Sequence, residues 1–287
     1  MKRMLGFLLL MMLIPVLAGA DVTIKEKTTI TGFMGMWKAD GTETTYLKGD
    51  KYRNESEVER SGMVPPSPIK NPPPRVTIVR LDKGLMYRVN LKDKTYQEIP
   101  LKQEGDSAGA GEAFKITGFK VEPTGETKEI AGHTCKGVKA QMTFSVQRGD
   151  ETGEQDLDML FWMTQDTAGL DDMKTFWDQS LKLAQGQDQH IPIWEGLDKM
   201  WKESEQFKGV PLGVEITIEA PYSDEEMAEM EATVKEMMKK DTGQEPPKGD
   251  KDIKMTREVV SISTGKLDDS LFEIPEDFKQ AQRIRIW

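Results

Sequence analysis

VTIVRLDKGLMYRVNLKDKTYQEIPL, residues Val76–Leu101, reads as three short strands joined by two tight polar turns. Val76 and Ile78 alternate with Thr77 and Val79, and Tyr87, Val89 and Leu91 alternate with Met86, Arg88 and Asn90. The turns are Asp82-Lys83-Gly84 and Lys92-Asp93-Lys94, and glycine at 84 can take the positive φ that a tight reversal needs. Successive strand side chains face opposite ways, so one side of this meander is oily and the other wet. The oily side must rest on something, and what that is shapes the rest of the molecule.

Upstream, Asp21–Tyr52 reads as two or three strands from Val22, Ile24 and Thr28–Thr31, punctuated by Gly32, Gly35 and Asp40-Gly41. Thr44–Arg53 reads as a strand and a turn. Met63–Pro74, MVPPSPIKNPPP, is neither helix nor inner strand, because proline fixes φ and lacks the amide donor. Downstream, Glu104–Glu112 is a glycine-rich polar loop. Phe119 and Val121 mark a strand, Thr124-Gly125-Glu126 a turn, and Val138, Ala140, Met142, Phe144 and Val146 share one face by strict alternation. Cys135 is out of phase with that face unless Gly137 marks a bulge. Leu157, Met159 and Phe161, interleaved with Leu160 and Trp162, predict a strand buried on both sides.

Helical periodicity appears in Asp171–Ala184 (Met173, Phe176, Trp177, Leu181, Ala184) and again from Pro192 to Phe207 (Trp194, Leu197, Met200, Trp201). Val214–Glu219 returns to strand. Ser223-Asp224-Glu225-Glu226 is a capping box for a third helix, lined by Met227, Met230, Val234, Met237 and Met238. Met255–Ser263 predicts a last long strand, and Leu267, Leu271, Phe272, Ile274, Pro275 and Phe278 a terminal packing segment.

Residues 1–20 have the form of an export signal: Lys2 and Arg3, the apolar run Leu5–Leu17, then Ala18-Gly19-Ala20 as the cleavage site. No cysteine stands directly after the site, where Asp21 is found, and no later run is long enough to span a bilayer. A secreted or periplasmic protein beginning at Asp21 is expected, as one domain over 21–287 with a proline-rich loop (63–74) and a helical insertion (171–208). The formal charge of −10 argues against nucleic acid and anionic membranes as partners. With Cys135 the only cysteine, no internal disulfide can form, and burial of that thiol is the expectation.

Chemistry-bearing motifs are scarce. His133-x-Cys135 offers two ligands where a structural metal usually takes four, and His133 is poorly angled to activate Cys135. No G-x-S-x-G, H-E-x-x-H or phosphate loop is present. No catalytic residue, metal or cofactor is therefore assigned. Trp177, Trp194 and Trp201, with Phe176 and Met200, are the candidate ligand-binding residues. Each buried indole is worth roughly 2–3 kcal/mol, so exposing them would require an apolar ligand or partner.

Four phrases, Thr44–Arg53 (TTYLKGDKYR), Met86–Ile99, Thr124–Cys135 (TGETKEIAGHTC) and Ser261–Lys279 (SISTGKLDDSLFEIPEDFK), resemble an uncharacterised exported bacterial family, domain of unknown function 4412. More distantly, the layout is similar to the LolA-like lipoprotein carriers. That resemblance implies an α+β fold in which a curved antiparallel sheet, an open half-barrel, has its concave face covered by helices. It also implies a cavity for acyl chains or other apolar ligands. The resulting expectation is a monomeric, non-enzymatic periplasmic binding or carrier protein for a lipid or acylated partner. An envelope interaction protein without a small ligand and a hydrolase with an unrecognised site are the alternatives.

Overall fold

The computed structural model describes residues 21–32, 37–62, 74–101, 114–148, 151–166, 204, 207–218, 225, 228–229, 231–233, 235–236 and 252–281. Nearly all of them are strand: β1 (Val22–Gly32), β2 (Trp37–Lys48), β3 (Lys51–Gly62), β4 (Arg75–Arg80), β5 (Leu85–Asn90), β6 (Thr95–Pro100), β7 (Phe114–Ile130), β8 (His133–Arg148), β9 (Glu151–Thr164), β10 (Val210–Ile218), β11 (Ile253–Thr264) and β12 (Lys279–Gln280). They form one open, curved 12-stranded sheet in the order β12-β6-β5-β4-β3-β2-β1-β11-β10-β9-β8-β7. Every pairing is antiparallel except β12 beside β6.

The curved antiparallel sheet is as expected, but the α+β class is not. The described residues are almost all strand, and among them no helix covers a face of the sheet. The helical residues that are described (225, 228–229, 231–233 and 235–236) belong to the segment after the Ser223 capping box, and all are exposed. Covering helices are what the resemblance to the LolA-like carriers implies; over the meander the described cover is instead the segment after β11. The insertion's tryptophans and the methionine stripe lie outside the described residues, as do the export signal and all of the proline-rich loop except Pro74.

The meander forms as read: β4, β5 and β6, with Gly84 at φ 64° in the first turn. Leu91, assigned to the oily side, instead falls in the second turn and is exposed. The cover for Val76, Ile78, Tyr87, Val89 and Tyr96 is the chain's own C-terminus. After β11 the chain crosses the sheet as a strap, placing Leu267, Leu271, Phe272, Ile274 and Phe278 on that cluster, with Phe272 fully buried. The crossing is pinned strand by strand. Lys48 donates to Leu267 O (2.7 Å) and Lys51 to Asp269 (2.7 Å), while Arg53 donates to Leu271 O (2.9 Å). Arg80, 5% exposed, donates to Phe272 O (3.4 Å) and pairs with both Glu273 and Asp82. The strap ends as β12, where Lys279 N meets Lys94 O (2.9 Å) and Ala281 N meets Tyr96 O (2.8 Å), closing the β6 edge.

Three turn or bulge assignments are corrected by the register. Asp40-Gly41 lies inside β2, because Thr29 Oγ1 donates to the Asp40 carboxylate (2.8 Å) and Lys38 pairs with it (2.9 Å). Thr124-Gly125-Glu126 is a bulge within β7, where pairing jumps from Pro123 to Thr127. Gly125 there takes φ 78°, and the Thr124 hydroxyl donates to Gly137 O (3.1 Å). At Gly137 there is no bulge: β8 and β9 pair without a break from Arg148 to Lys136. Cys135 is on the face opposite Val138 and is buried nonetheless, packed in a cluster with Trp162, Ile130 and Val210. Alternation was right, and the premise that only one face is buried was wrong.

Candidate functional site

The sheet has two faces with different characters. The strap face carries Tyr46, Ile78 and Arg80 at one end, and Trp162, Cys135, Lys139 and Asp158 at the other. The second face carries Ile24, Glu26, Ala39, Val58, Arg257, Ile216, Phe161 and Val138. On β7–β10 the middle of the second face is apolar, while Lys136 and Gln155 stand on the same face beyond its two ends. Val138, Ala140, Met142, Phe144, Leu157, Met159, Phe161 and Met163 are buried together, with Phe119, Val121, Val214, Ile216 and Ile218 packed partly buried against them. Phe207, just before β10, joins this cluster with its ring edge-on to Phe161 at 5.1 Å. Gly209 makes that entry possible. Its φ is 135°, and a Cβ there would lie 2.1 Å from the carbonyl oxygen of Thr164.

The apolar surface continues past β10. In register across the sheet, Met159 opposes Ile216, Ile216 opposes Met255, Met255 opposes Ile30, Ile30 opposes Ala39 and Ala39 opposes Arg60. Ile216, Met255, Ile30 and Arg60 are half-buried, whereas the residues alternating with Met255 (Lys254, Thr256, Glu258) are exposed. Beside this row lies a polar knot. Arg257 grips Glu26 with two nitrogens, Nε at 3.0 Å and Nη2 at 2.5 Å, and Nη2 also reaches Glu43 at 3.2 Å. Asn54 donates to Glu43 (3.3 Å) and to Thr45 (3.1 Å). Burial pushes the neighbouring Tyr52 phenol up to about 12, so it remains a neutral hydrogen-bonding group. Burial also pulls Arg257 toward deprotonation, but the two carboxylates more than offset it and its pKa ends raised.

The strap face has a groove of about 220 Å³ between Lys120, Glu122, Lys139, Gln141 and Asp158. Its lining is charged and polar, with Lys120 and Glu122 paired at 2.8 Å, so it is unrelated to the apolar surface behind it. Among the described residues no group of three or more His, Cys, Asp or Glu could hold a metal ion.

The His133–Cys135 pair lacks the geometry of a nucleophile and base. Cys135 is fully buried and its Sγ–H donates to His133 O at 3.6 Å. Burial first, then Glu129 and Glu258, push the thiol up to about 11. His133 Nδ1 faces Asp166 at 3.6 Å rather than the sulfur. A thiol reagent such as dithionitrobenzoate should therefore leave Cys135 untouched in the folded protein at pH 8 and titrate it stoichiometrically in denaturant. Rapid reaction in the native state would contradict this burial.

Trp177, Trp194, Trp201, Phe176 and Met200 all lie outside the described residues. The polar knot and the long row escaped sequence reading altogether. Arg257 and Glu26 are 231 positions apart, and only the strand register brings them together. The available signal was local: Ile253, Met255 and Arg257 alternate with Lys254, Thr256 and Glu258, which assigns Arg257 to the apolar side of its strand.

No curated protein matches the chain. Among solved structures it is similar to a DUF1329 family protein from Desulfovibrio piger ATCC 29098, at 8% identity and a TM-score of 0.21, over 89% of this chain and 90% of that one. A family model matches residues 31–211, which takes in three of the four phrases singled out in the sequence and leaves Ser261–Lys279 beyond it. The chain belongs to the family described as Domain of unknown function (DUF4412).

Proposed function

We propose that this protein is a non-enzymatic binder, an exported carrier that holds an apolar ligand against the second face of its sheet. The observation that carries the reading is the continuity of that surface. It runs from Val138 and Met159 on β8 and β9, through Ile216 and Met255, to Ile30 and Ala39 on β1 and β2. Its outer part, Ile216, Met255 and Ile30, is only half-buried. Half-buried apolar side chains in a line are costly unless something apolar lies on them, at about 25 cal/mol per Å² left wet. Methionine at 159 and 255 suits an adaptable surface, since its side chain reshapes at low cost. The inert thiol of Cys135 is consistent with binding rather than group transfer.

The test is to purify the protein from the exporting cell, extract it and analyse the extract by mass spectrometry. The stripped protein is then titrated with dodecanol below its solubility limit. A stoichiometric apolar molecule in the extract, or saturable uptake of about one dodecanol per chain, is the expected result. A clean extract together with no saturable uptake would overturn the proposal and leave an envelope interaction protein as the better reading.

A further inference from the structure

We propose that two copies of this chain pair antiparallel along the free edge of β7, about a two-fold axis at Val121. The proposal goes beyond the binding function and does not depend on it. β7 ends the sheet: β8 lies on one side of it, and among the described residues no strand lies on the other. The opposite end of the sheet differs, since β12 covers part of β6 there. An uncovered edge is a row of unpaired backbone donors and acceptors, which an added strand satisfies. Between its two irregularities β7 pairs with β8 without a break from Gly118 to Pro123, so this stretch is regular enough to accept one. Its far end is engaged elsewhere, with Lys128 paired to Glu258 on β11.

The side chains select both the occupant and the register. Phe119, Val121 and Pro123 share the second face with Met142, Ala140 and Val138, whereas Lys120 and Glu122 share the strap face with Gln141 and Lys139. Phe119 and Val121 are only partly buried on the apolar cluster, and Pro123 is exposed. A register slipped by one residue would set the apolar side of one copy beside the charged side of the other. With the sides matched, an axis at Lys120 sets two lysines directly opposite each other, and an axis at Glu122 sets two glutamates, and both repel. An axis at Val121 does neither. Each Lys120 then faces Glu122 of the second copy, Val121 faces Val121, and Phe119 faces Pro123. Lys120 and Glu122 already pair within the chain at 2.8 Å, so the dimer completes a ring of four charges of alternating sign. A second copy supplies this complement by symmetry alone. The contact uses the same patch on both chains, so it closes at two and leaves no edge for growth.

So short a ladder makes a small interface, and the dimer should dissociate between about 1 µM and 1 mM. Sedimentation velocity of the protein across that range should show a monomer–dimer equilibrium. Lys120→Glu and Glu122→Lys each set like charges opposite each other, and each alone should weaken the dimer at least tenfold. Mixed in equal amounts, the two variants should pair with each other, because one then presents two glutamates and the other two lysines. That recovery also shows that both variants are folded. Val121→Cys should oxidise to a disulfide-linked dimer, since directly opposed Cα atoms about 4.5–5.5 Å apart suit a disulfide. Cys135, fully buried, does not compete. A native protein that stays monomeric at every concentration would overturn the proposal. Native-like dimers from both single variants, variants that remain apart when mixed, or a Val121→Cys protein that forms no disulfide would each overturn pairing at this edge and register.

Discussion

Phe272→Ala is expected to destabilise the protein by about 3–5 kcal/mol, the usual cost of emptying a buried phenylalanine site. Phe272 has no exposed surface and sits on Val76, Ile78 and Val89, the side of the meander that no other described segment covers. The site cannot collapse easily, because the strap is held over it by Arg53 on one side and Arg80 on the other. Urea denaturation of native and variant proteins, compared at unchanged slope, measures the loss. Removing the strap altogether, by ending the chain at Gly265, should prevent folding, since it uncovers the whole cluster and frees the β6 edge. A loss below 1 kcal/mol for Phe272→Ala would mean that the strap is an ornament on a sheet already complete.

The strap also makes the fold acid-sensitive, with a definite sign. Lys51 and Lys48 hold the Asp269 carboxyl below its ordinary value, and Lys94 does the same for Asp277. For Glu273, burial pushes upward, but Arg80 and Lys83 pull it down further. A carboxylate whose folded-state pKa is depressed stabilises fully above its unfolded value, about 4, and loses that contribution as pH falls through the lower folded value. Acidification from pH 5 to pH 2 should therefore erode native stability more than that of an Asp269→Asn/Glu273→Gln variant. The pairs are mostly exposed, so the difference should also shrink in high salt.

How much of this was legible depends on the range over which each feature is encoded. The strands of the meander, the turn at Gly84 and the terminal packing segment are written in neighbouring residues, and they formed as read. Thr124-Gly125-Glu126 and Asp40-Gly41 carry turn chemistry yet lie inside strands, because a bulge uses the same residue types as a turn. Cys135 was placed in correct phase, but both sides of β8 are buried, one on each side of Gly137. One-sided burial, assumed from alternation, hid that. The partnership of the meander with residues 267–278, the row ending at Arg60 and the grip of Arg257 on Glu26 all depend on which strands pair and in what register. Nothing local records it. A strand order in which β1 pairs with β11 joins the two ends of the chain, and no window of sequence spans that distance.

Arg257→Met should be the costliest polar substitution, at about 3–5 kcal/mol, because it removes the partner of a carboxylate rather than an interaction in water. Glu26 is 9% exposed, and both its oxygens are taken by the guanidinium. Methionine fills much of the same volume and cannot hydrogen-bond, so Glu26 is left charged among Val259, Ile24 and Thr28 on the same face. Glu26→Gln alone should cost less, since Arg257 keeps Glu43 at 3.2 Å. The decisive comparison is the double variant. If the loss comes from stranding a charge, Glu26→Gln/Arg257→Met should recover at least half of what Arg257→Met loses, and the coupling between the two sites should exceed about 1.5 kcal/mol. Urea denaturation of the four proteins at pH 7 supplies the cycle. Additive losses would show instead that Arg257 contributes by packing its stem, and that the polar knot beside the apolar row is held by the strands alone.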